Sequence, residues 1–166
     1  MKTAFINSPL GITKIVGDEN GVSIICFASS SFALGSVLSE GETSKTIPKE
    51  LKIAVSQLQE YFEGKRKDFD FKLNPKGTDF QQKVWQGLLE IPFGKTMSYL
   101  DLSKKLGDVK AIRAVASANG KNPLWIVVPC HRVIGTDGSL TGYAGGLWRK
   151  KWLLEHENST NQQSLF

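Results

Sequence analysis

The sequence predicts an α/β protein of two domains. A small N-terminal antiparallel sheet with a helix precedes a mainly helical C-terminal domain that holds a helix-turn-helix. Three observations predict it. Short β-forming runs separated by turn residues fill the chain as far as Phe27. Asn74-Pro75-Lys76-Gly77 is its best boundary, separating a domain at 1–74 from one at 78–158. Beyond that boundary, apolar residues recur at helical spacing.

The first strands fall at 3–7 and 12–16, separated by Ser8-Pro9-Leu10-Gly11. Asp18-Glu19-Asn20-Gly21 is a turn signal, and Val22 to Phe27 is strongly β-forming, so the three runs read as an antiparallel meander. The segment 29–46, rich in Ser, Gly and Thr, carries no clear pattern. Pro48 then opens a helix with Leu51, Val55, Leu58 and Phe62 on one face, and Gly64 stops it. Phe69, Phe71 and Leu73 alternate with Asp70 and Lys72 as in a half-buried strand.

In the second domain Thr78 caps a helix to about Glu90, with Phe80, Val84, Leu88 and Leu89 inward and Trp85 beside them. Ile91-Pro92-Phe93-Gly94 ends it. Residues 97–120 have helix-turn-helix spacing: Ser98 caps a short helix to Leu106, Gly107-Asp108 turns the chain, and a second helix runs from Val109 to Asn119. An ordinary αα-hairpin has the same spacing. The second helix carries a lone Arg113 among Ala111, Ala114, Ala116, Ser117 and Ala118, small residues that let its backbone approach another surface closely. Thr141-Gly142-Tyr143-Ala144-Gly145-Gly146 is a loop that must pass close to a ligand or another backbone. A last helix comes after it, with Trp148, Trp152 and Leu153 as core and Arg149-Lys150-Lys151 as a solvated face; residues 159–166 form a polar tail expected to fray.

Composition narrows the function classes. With 22% charged residues the chain is that of a soluble globular protein. The net charge of +5 points mildly to a polyanionic partner. The excess is uneven: residues 1–77 carry 10 Lys/Arg against 9 Asp/Glu, a net of +1, and residues 78–166 carry 11 against 7, a net of +4. Two cysteines and two histidines, at 26, 130, 131 and 156, have neither disulfide-framework nor zinc spacing and suit a reducing compartment. No signal peptide and no membrane-spanning run is evident, so a cytoplasmic location is expected, or a nuclear one in a eukaryote.

The chemistry concentrates at Val127-Val128-Pro129-Cys130-His131-Arg132-Val133. A free thiol, with a pKa of about 8.5, is only a few per cent thiolate near neutrality, and a nearby imidazole and cation are the usual means of raising that fraction. A lone cysteine here would read as buried and structural. One of only two histidines abuts Cys130, which favours a nucleophile. Neighbours on a strand face opposite ways, so His131 needs a bend or a bridging water to act on Cys130. Cys26 has nothing nearby to activate it and reads as a buried strand residue.

Pro129-Cys130-His131-Arg132-Val133 resembles the acceptor motif of the O6-alkylguanine-DNA alkyltransferases. The likeness covers the whole C-terminal half, through Phe80-Gln81, Val84-Trp85, Ile91-Pro92-Phe93-Gly94, Ser98-Tyr99, Arg113-Ala114-Val115, Asn122-Pro123, Gly142-Tyr143 with Gly145-Gly146, and Leu153-Leu154 to Glu157. It is looser in the N-terminal half, at Ser8-Pro9-Leu10-Gly11. The resemblance implies that Cys130 accepts the alkyl group, that His131 is the base through a water, and that Glu157 orients His131. Asn122 would buttress the cysteine turn. Tyr99 would crowd a phosphate and protonate the departing base. Arg113 and Ala114 would meet DNA from the minor groove, Arg113 filling the space of an extruded nucleotide. Arg132 joins them as a DNA contact, and Lys104, Lys105 and Lys110 would serve as phosphate contacts or plain surface. The pocket would be built from Val133, Tyr143, Ala144, Gly145 and Trp125, with the carbonyls of Cys130 and Val133 reading the base. Trp125 stands where the family has something smaller, which implies a narrower pocket that disfavours benzyl groups. The partner implied is double-stranded DNA carrying alkylated guanine, or to a lesser degree O4-alkylthymine. No cofactor, metal or obligate protein partner is implied. Two other readings share parts of the pattern: a non-catalytic lesion binder or transcription factor, and a thiol redox sensor or cysteine hydrolase.

Overall fold

The computed structural model describes residues 1–28 and 43–163. Most of the unassigned segment 29–46 lies outside them. The chain forms two compact units, Met1–Lys76 and Gly77–Phe166.

The first unit is the expected meander. Strands β1 (Lys2–Ser8), β2 (Gly11–Asp18) and β3 (Gly21–Phe27) pair antiparallel in that order. Gly11 and Gly21 turn the chain at φ 109° and 129°, values that L side chains rarely adopt. Ile15 and Ile25 stand opposite each other and are fully buried, and a bulge at Val16/Gly17 shifts the register beyond them. Helix α1 (Lys52–Phe62), entered through a 3₁₀ turn at Lys49–Leu51, buries Leu51, Val55 and Leu58. Tyr61 completes that face, and Phe62 is only half-buried.

The strand expected at 69–73 is reduced to one bridge, Leu73 to Val22. The side-exposure alternation is present. The ladder is not, because the Gln57 side chain takes the backbone hydrogen bond: Asp70 N donates to Gln57 Oε1 at 3.2 Å, and Gln57 Nε2 donates to Asp70 Oδ1 at 2.5 Å.

The second unit opens on helix α2 (Asp79–Leu88), closed by a reciprocal cap: Gln81 N donates to Thr78 Oγ1 at 3.1 Å, and Thr78 N to Gln81 Oε1 at 2.9 Å. Val84, Trp85 and Leu88 face inward. Phe80 and Leu89 do not, being 40% and 41% exposed; they occupy the first turn and the C-cap, outside the buried stripe. Helix α3 (Tyr99–Lys105) is capped by Ser98, whose hydroxyl accepts from Asp101 N at 3.0 Å. Gly107 turns the chain at φ 90°, and a 3₁₀ turn at Val109–Ala111 leads into helix α4 (Ile112–Gly120). Trp85 Nε1 donates to Ala118 O at 2.8 Å, fixing α4 on α2.

Two short strands that the sequence does not predict, β4 (Met97–Ser98) and β5 (Val133–Ile134), pair in parallel. They fasten the start of the helix-turn-helix beside the segment that follows Cys130. The last helix, α5 (Leu147–Gln163), continues through 159–163, part of the stretch expected to fray; no glycine or proline interrupts it there. No helix among the described residues is long and apolar enough to cross a membrane.

Candidate active site

The segment from Lys121 to Ile134 has almost no regular structure, and its side chains explain why. Asn122 organises it. Its Oδ1 accepts from Leu124 N at 2.9 Å and its Nδ2 donates to Val128 O at 2.7 Å, so one amide brackets the turn before the cysteine. Ile126 is held at φ 74°, an outlier for a β-branched residue that costs on the order of 1–3 kcal/mol. The strain is tolerated because Val127 N and Val128 N are bonded to Trp125 O and Leu124 O, both at 2.9 Å.

Cys130 then begins a 3₁₀ turn, Cys130–Arg132, rather than ending a strand. This is the bend that His131 needs to stand beside Cys130. Cys130 is 4% exposed. Burial pushes its thiol up to about 11, against the downward pull of the Asn122 hydrogen bond and the Lys150 charge. The cysteine is therefore protonated at rest, contrary to the thiolate enrichment expected from an adjacent imidazole and cation.

His131 is completely buried. Its Nε2 lies 2.8 Å from Glu157 Oε2, and its Nδ1 has no partner. Burial lowers its pKa in spite of Glu157, so the ring is neutral at rest. For Glu157, burial pushes upward, but His131 and Arg132 outweigh it and hold the carboxyl far below the usual range. A neutral imidazole cannot supply that charge, so Arg132 is the resting counter-ion. Its Nε donates to Oε1 at 2.8 Å and its Nη2 to Oε2 at 3.0 Å.

That geometry corrects one expectation. Arg132 is 6% exposed, and its third contact is Nη1 to Ile91 O at 2.7 Å, so it is committed to the interior and not to DNA. The run Arg149-Lys150-Lys151 is likewise not a solvated face. Arg149 and Lys150 are buried, Arg149 Nη1 donating to Gly145 O at 2.8 Å. Trp148, expected in the core, is 56% exposed, with the Arg149 guanidinium 4.5 Å from its ring centroid. Sequence reasoning missed these burials because charge runs ordinarily mark surface; a helix starting directly after two glycines was the available signal.

A cleft of about 680 Å³, within the range of small-ligand sites, lies in the same unit, and none of Cys130, His131 and Arg132 lines it. Tyr99, Arg113, Asn119, Tyr143 and Ala144 line it. Tyr99 is half-buried, its hydroxyl accepting from Asn119 Nδ2 at 3.4 Å, and burial raises its pKa. Tyr143 points its hydroxyl inward without a partner; burial, then proximity to Cys130, raises it further. Arg113 and Ala114 are exposed on α4.

Three expected pocket residues stand behind the wall. Val133 is buried and its carbonyl accepts from Lys150 Nζ at 2.7 Å. Gly145 holds Arg149. Trp125 is 1% exposed, donates from Nε1 to Asn122 O at 2.9 Å, and packs 5.7 Å from the Tyr143 ring, so it does not narrow the cleft directly. The narrow-pocket expectation fails on that point. Among the helix-turn-helix lysines, Lys105 is paired with Glu90 at 2.7 Å. Among the described residues no three His, Cys, Asp or Glu side chains are grouped to hold a metal ion.

Comparison with known proteins agrees with this geometry. Residues 79–159 match the family described as 6-O-methylguanine DNA methyltransferase, DNA binding domain, and residues 1–75 its ribonuclease-like domain. A methylated-DNA–protein-cysteine methyltransferase of Methanosarcina acetivorans is 45% identical over 96% of this chain and 99% of its own. The structure of Mycobacterium tuberculosis OGT in complex with DNA has a TM-score of 0.81 at 41% identity, covering 94% of this chain and 92% of that one. An O6-methylguanine DNA methyltransferase from Methanococcus jannaschii has a TM-score of 0.63 at 30% identity, covering 93% and 92%. With both halves of the chain matched, a buried His131–Glu157–Arg132 cluster next in sequence to Cys130 and a cleft walled by the helix-turn-helix, the chain belongs to the 6-O-methylguanine DNA methyltransferase family.

Proposed function

We propose that the protein repairs DNA by taking the alkyl group of an O6-alkylguanine, and to a lesser degree an O4-alkylthymine, onto Cys130 once and irreversibly. Residues 78–158 are the DNA-binding and alkyl-acceptor domain, and residues 1–74 are a scaffold. The target atom is inaccessible in stacked duplex, so the nucleotide is extruded into the cleft and Arg113 fills the space it leaves.

The observation that carries the reading is the relay. Cys130 has a neutral His131 beside it whose Nδ1 is free, while Nε2 is held by a carboxylate kept ionised by Arg132. In the reaction the Cys130 proton passes through a water to His131 Nδ1, and Glu157 stabilises the imidazolium. The sulfur attacks the alkyl carbon in line, the S–C bond forms, and the C–O6 bond breaks. Tyr99 gives its proton to the departing base, which leaves neutral, and recovers one from His131 by way of solvent. The thioether is a poor leaving group, so the protein acts once. Its place of work is wherever the cell keeps its DNA: the cytoplasm, or the nucleus in a eukaryote.

The test is peptide mass after mixing with an oligonucleotide containing one O6-methylguanine. A gain of one methyl on Cys130, saturating at one equivalent, is expected. No gain with DNA still bound would replace the reading by lesion binding, and no gain without binding would leave a thiol enzyme of another substrate.

A further inference from the structure

We infer that Lys150 is a positioning residue for alkyl transfer: it clasps the glycine-rich wall of the cleft to the acceptor segment and is the cation that faces the Cys130 thiolate as it forms. The inference rests on the alkyl-transfer reading above.

Lys150 has no exposed surface at all, although both its neighbours in sequence are basic. Its Nζ donates to Val133 O at 2.7 Å, Thr141 O at 2.6 Å and Gly142 O at 3.4 Å. An ammonium has three donors, and all three are spent on carbonyls from two separate segments. Val133 directly follows the acceptor turn. Thr141 and Gly142 directly precede Tyr143 and Ala144, which line the cleft. One side chain therefore ties the wall that faces the substrate to the strand that follows the nucleophile.

The charge is unbalanced. None of the ion pairs formed among the described residues includes Lys150, and a buried ammonium satisfied by carbonyls alone is costly to keep charged. Burial lowers its pKa to about 8, and the Cys130 charge works in the opposite direction. Cys130 and His131, both on the turn before Val133, are the titratable groups near enough to feel its charge. Ionisation of Cys130 supplies the anion that Lys150 lacks, so the thiolate and the ammonium stabilise each other during the reaction and not before it.

The test compares Lys150→Met, Lys150→Arg and Lys150→Gln with wild type across neutral to alkaline pH. Two rates are read on Cys130 by peptide mass: methyl uptake from duplex at saturating DNA, and alkylation by iodoacetamide with Cys26 as internal reference. Lys150→Met raises the Cys130 thiol pKa, and each unit of that rise lowers its iodoacetamide reactivity near neutrality about tenfold, with Cys26 unmoved. Methyl uptake falls by at least as much, because the wall is also released. Lys150→Arg restores the thiol profile, and Lys150→Gln does not. A folded Lys150→Met with the wild-type profile in both assays overturns the inference. Where Lys150→Met does not fold, Arg and Gln variants of identical profile overturn it equally. A wild type that takes no methyl from DNA refutes the alkyl-transfer reading instead, and that failure is visible without any variant.

Discussion

Cys26 and Cys130 are both buried, and burial pushes both thiols to about 11. They differ in their neighbours. Cys26 sits on β3, where the opposing influence is Lys14. Cys130 has the Asn122 amide, the Lys150 charge and the backbone hydrogen bonds of its own turn, with a neutral imidazole alongside. On the proposed reading, Cys130 reacts without resting as a thiolate. On that reading, what separates the two sites is a destination for the proton and preformed stabilisation of the charge, both of which act only when the sulfur ionises.

The largest effect that sharpens this contrast is removal of each sulfur in turn. Cys130→Ala abolishes methyl uptake and leaves affinity for lesion-bearing duplex within about threefold, since phosphate contacts dominate that affinity. Cys26→Ala leaves uptake unchanged and costs about 1 kcal/mol of stability, as for other small core truncations. Mass spectrometry, a gel-shift titration and a urea melt read the three quantities. Uptake lost with Cys26 would reverse the assignment.

Glu157→Gln attacks the relay itself. It leaves the Arg132 guanidinium buried without its carboxylate, which costs about 3–5 kcal/mol in a urea melt. It also removes the group that stabilises the imidazolium, lowering single-turnover transfer by about 10²–10⁴. The pH dependence has a definite sign. The folded pKa of Glu157 lies below its unfolded value of about 4.3, so its stabilisation is present above that value and is lost as pH falls below it. The folded pKa of His131 is also lowered, so the unfolded chain takes that proton first and stability begins to fall as pH drops through about 6.5. Stability curves of wild type and Glu157→Gln should converge in acid. Parallel curves would mean that Glu157 is not ionised in the folded protein.

Arg113→Ala sharpens the division between DNA handling and chemistry. Arg113 is exposed on α4 and lines the cleft, whereas His131 and Glu157 are buried. Transfer from duplex should fall by about tenfold, the scale of losing one unstacking contact, while attack on the free O6-alkylated base is unchanged. Equal loss on both substrates would move Arg113 into the chemistry.

Features governed by local rules were legible in the sequence. The meander, the caps at Thr78 and Ser98 and the turn at Gly107 all depend on residues within a few positions of one another. The motif Pro129–Val133 was legible through its resemblance to a known family, its residues being contiguous. The hidden features depend on long-range satisfaction of polar groups. Lys150 reads as surface until its ammonium meets carbonyls 8, 9 and 17 residues away. Arg132 reads as a DNA contact until Glu157, 25 residues on, claims its guanidinium. The strand at 69–73 has the right alternation, and only the tertiary Gln57–Asp70 pair cancels its ladder. No period in the chain encodes such partners.

The smallest expected effect concerns Trp125, where pocket shape and pocket support come apart. A bulky residue five positions before the cysteine, where the resembled family has something smaller, suggested a narrow cleft, but the indole is bonded to Asn122 O and packs against Tyr143. Trp125→Phe keeps an aromatic ring facing Tyr143 but removes the Nε1 donor and part of the buried indole, which adds a cavity cost. Asn122 O then loses one hydrogen bond, a cost of about 1 kcal/mol. Because the substituted atoms do not line the cleft, the ratio of methyl to benzyl transfer rates should stay within about twofold of wild type, even if both rates fall together. Single-turnover rates on the two lesions measure it. A ratio shifted toward benzyl by tenfold or more would place the indole edge in the path of the alkyl group, and the expectation drawn from the sequence would be restored.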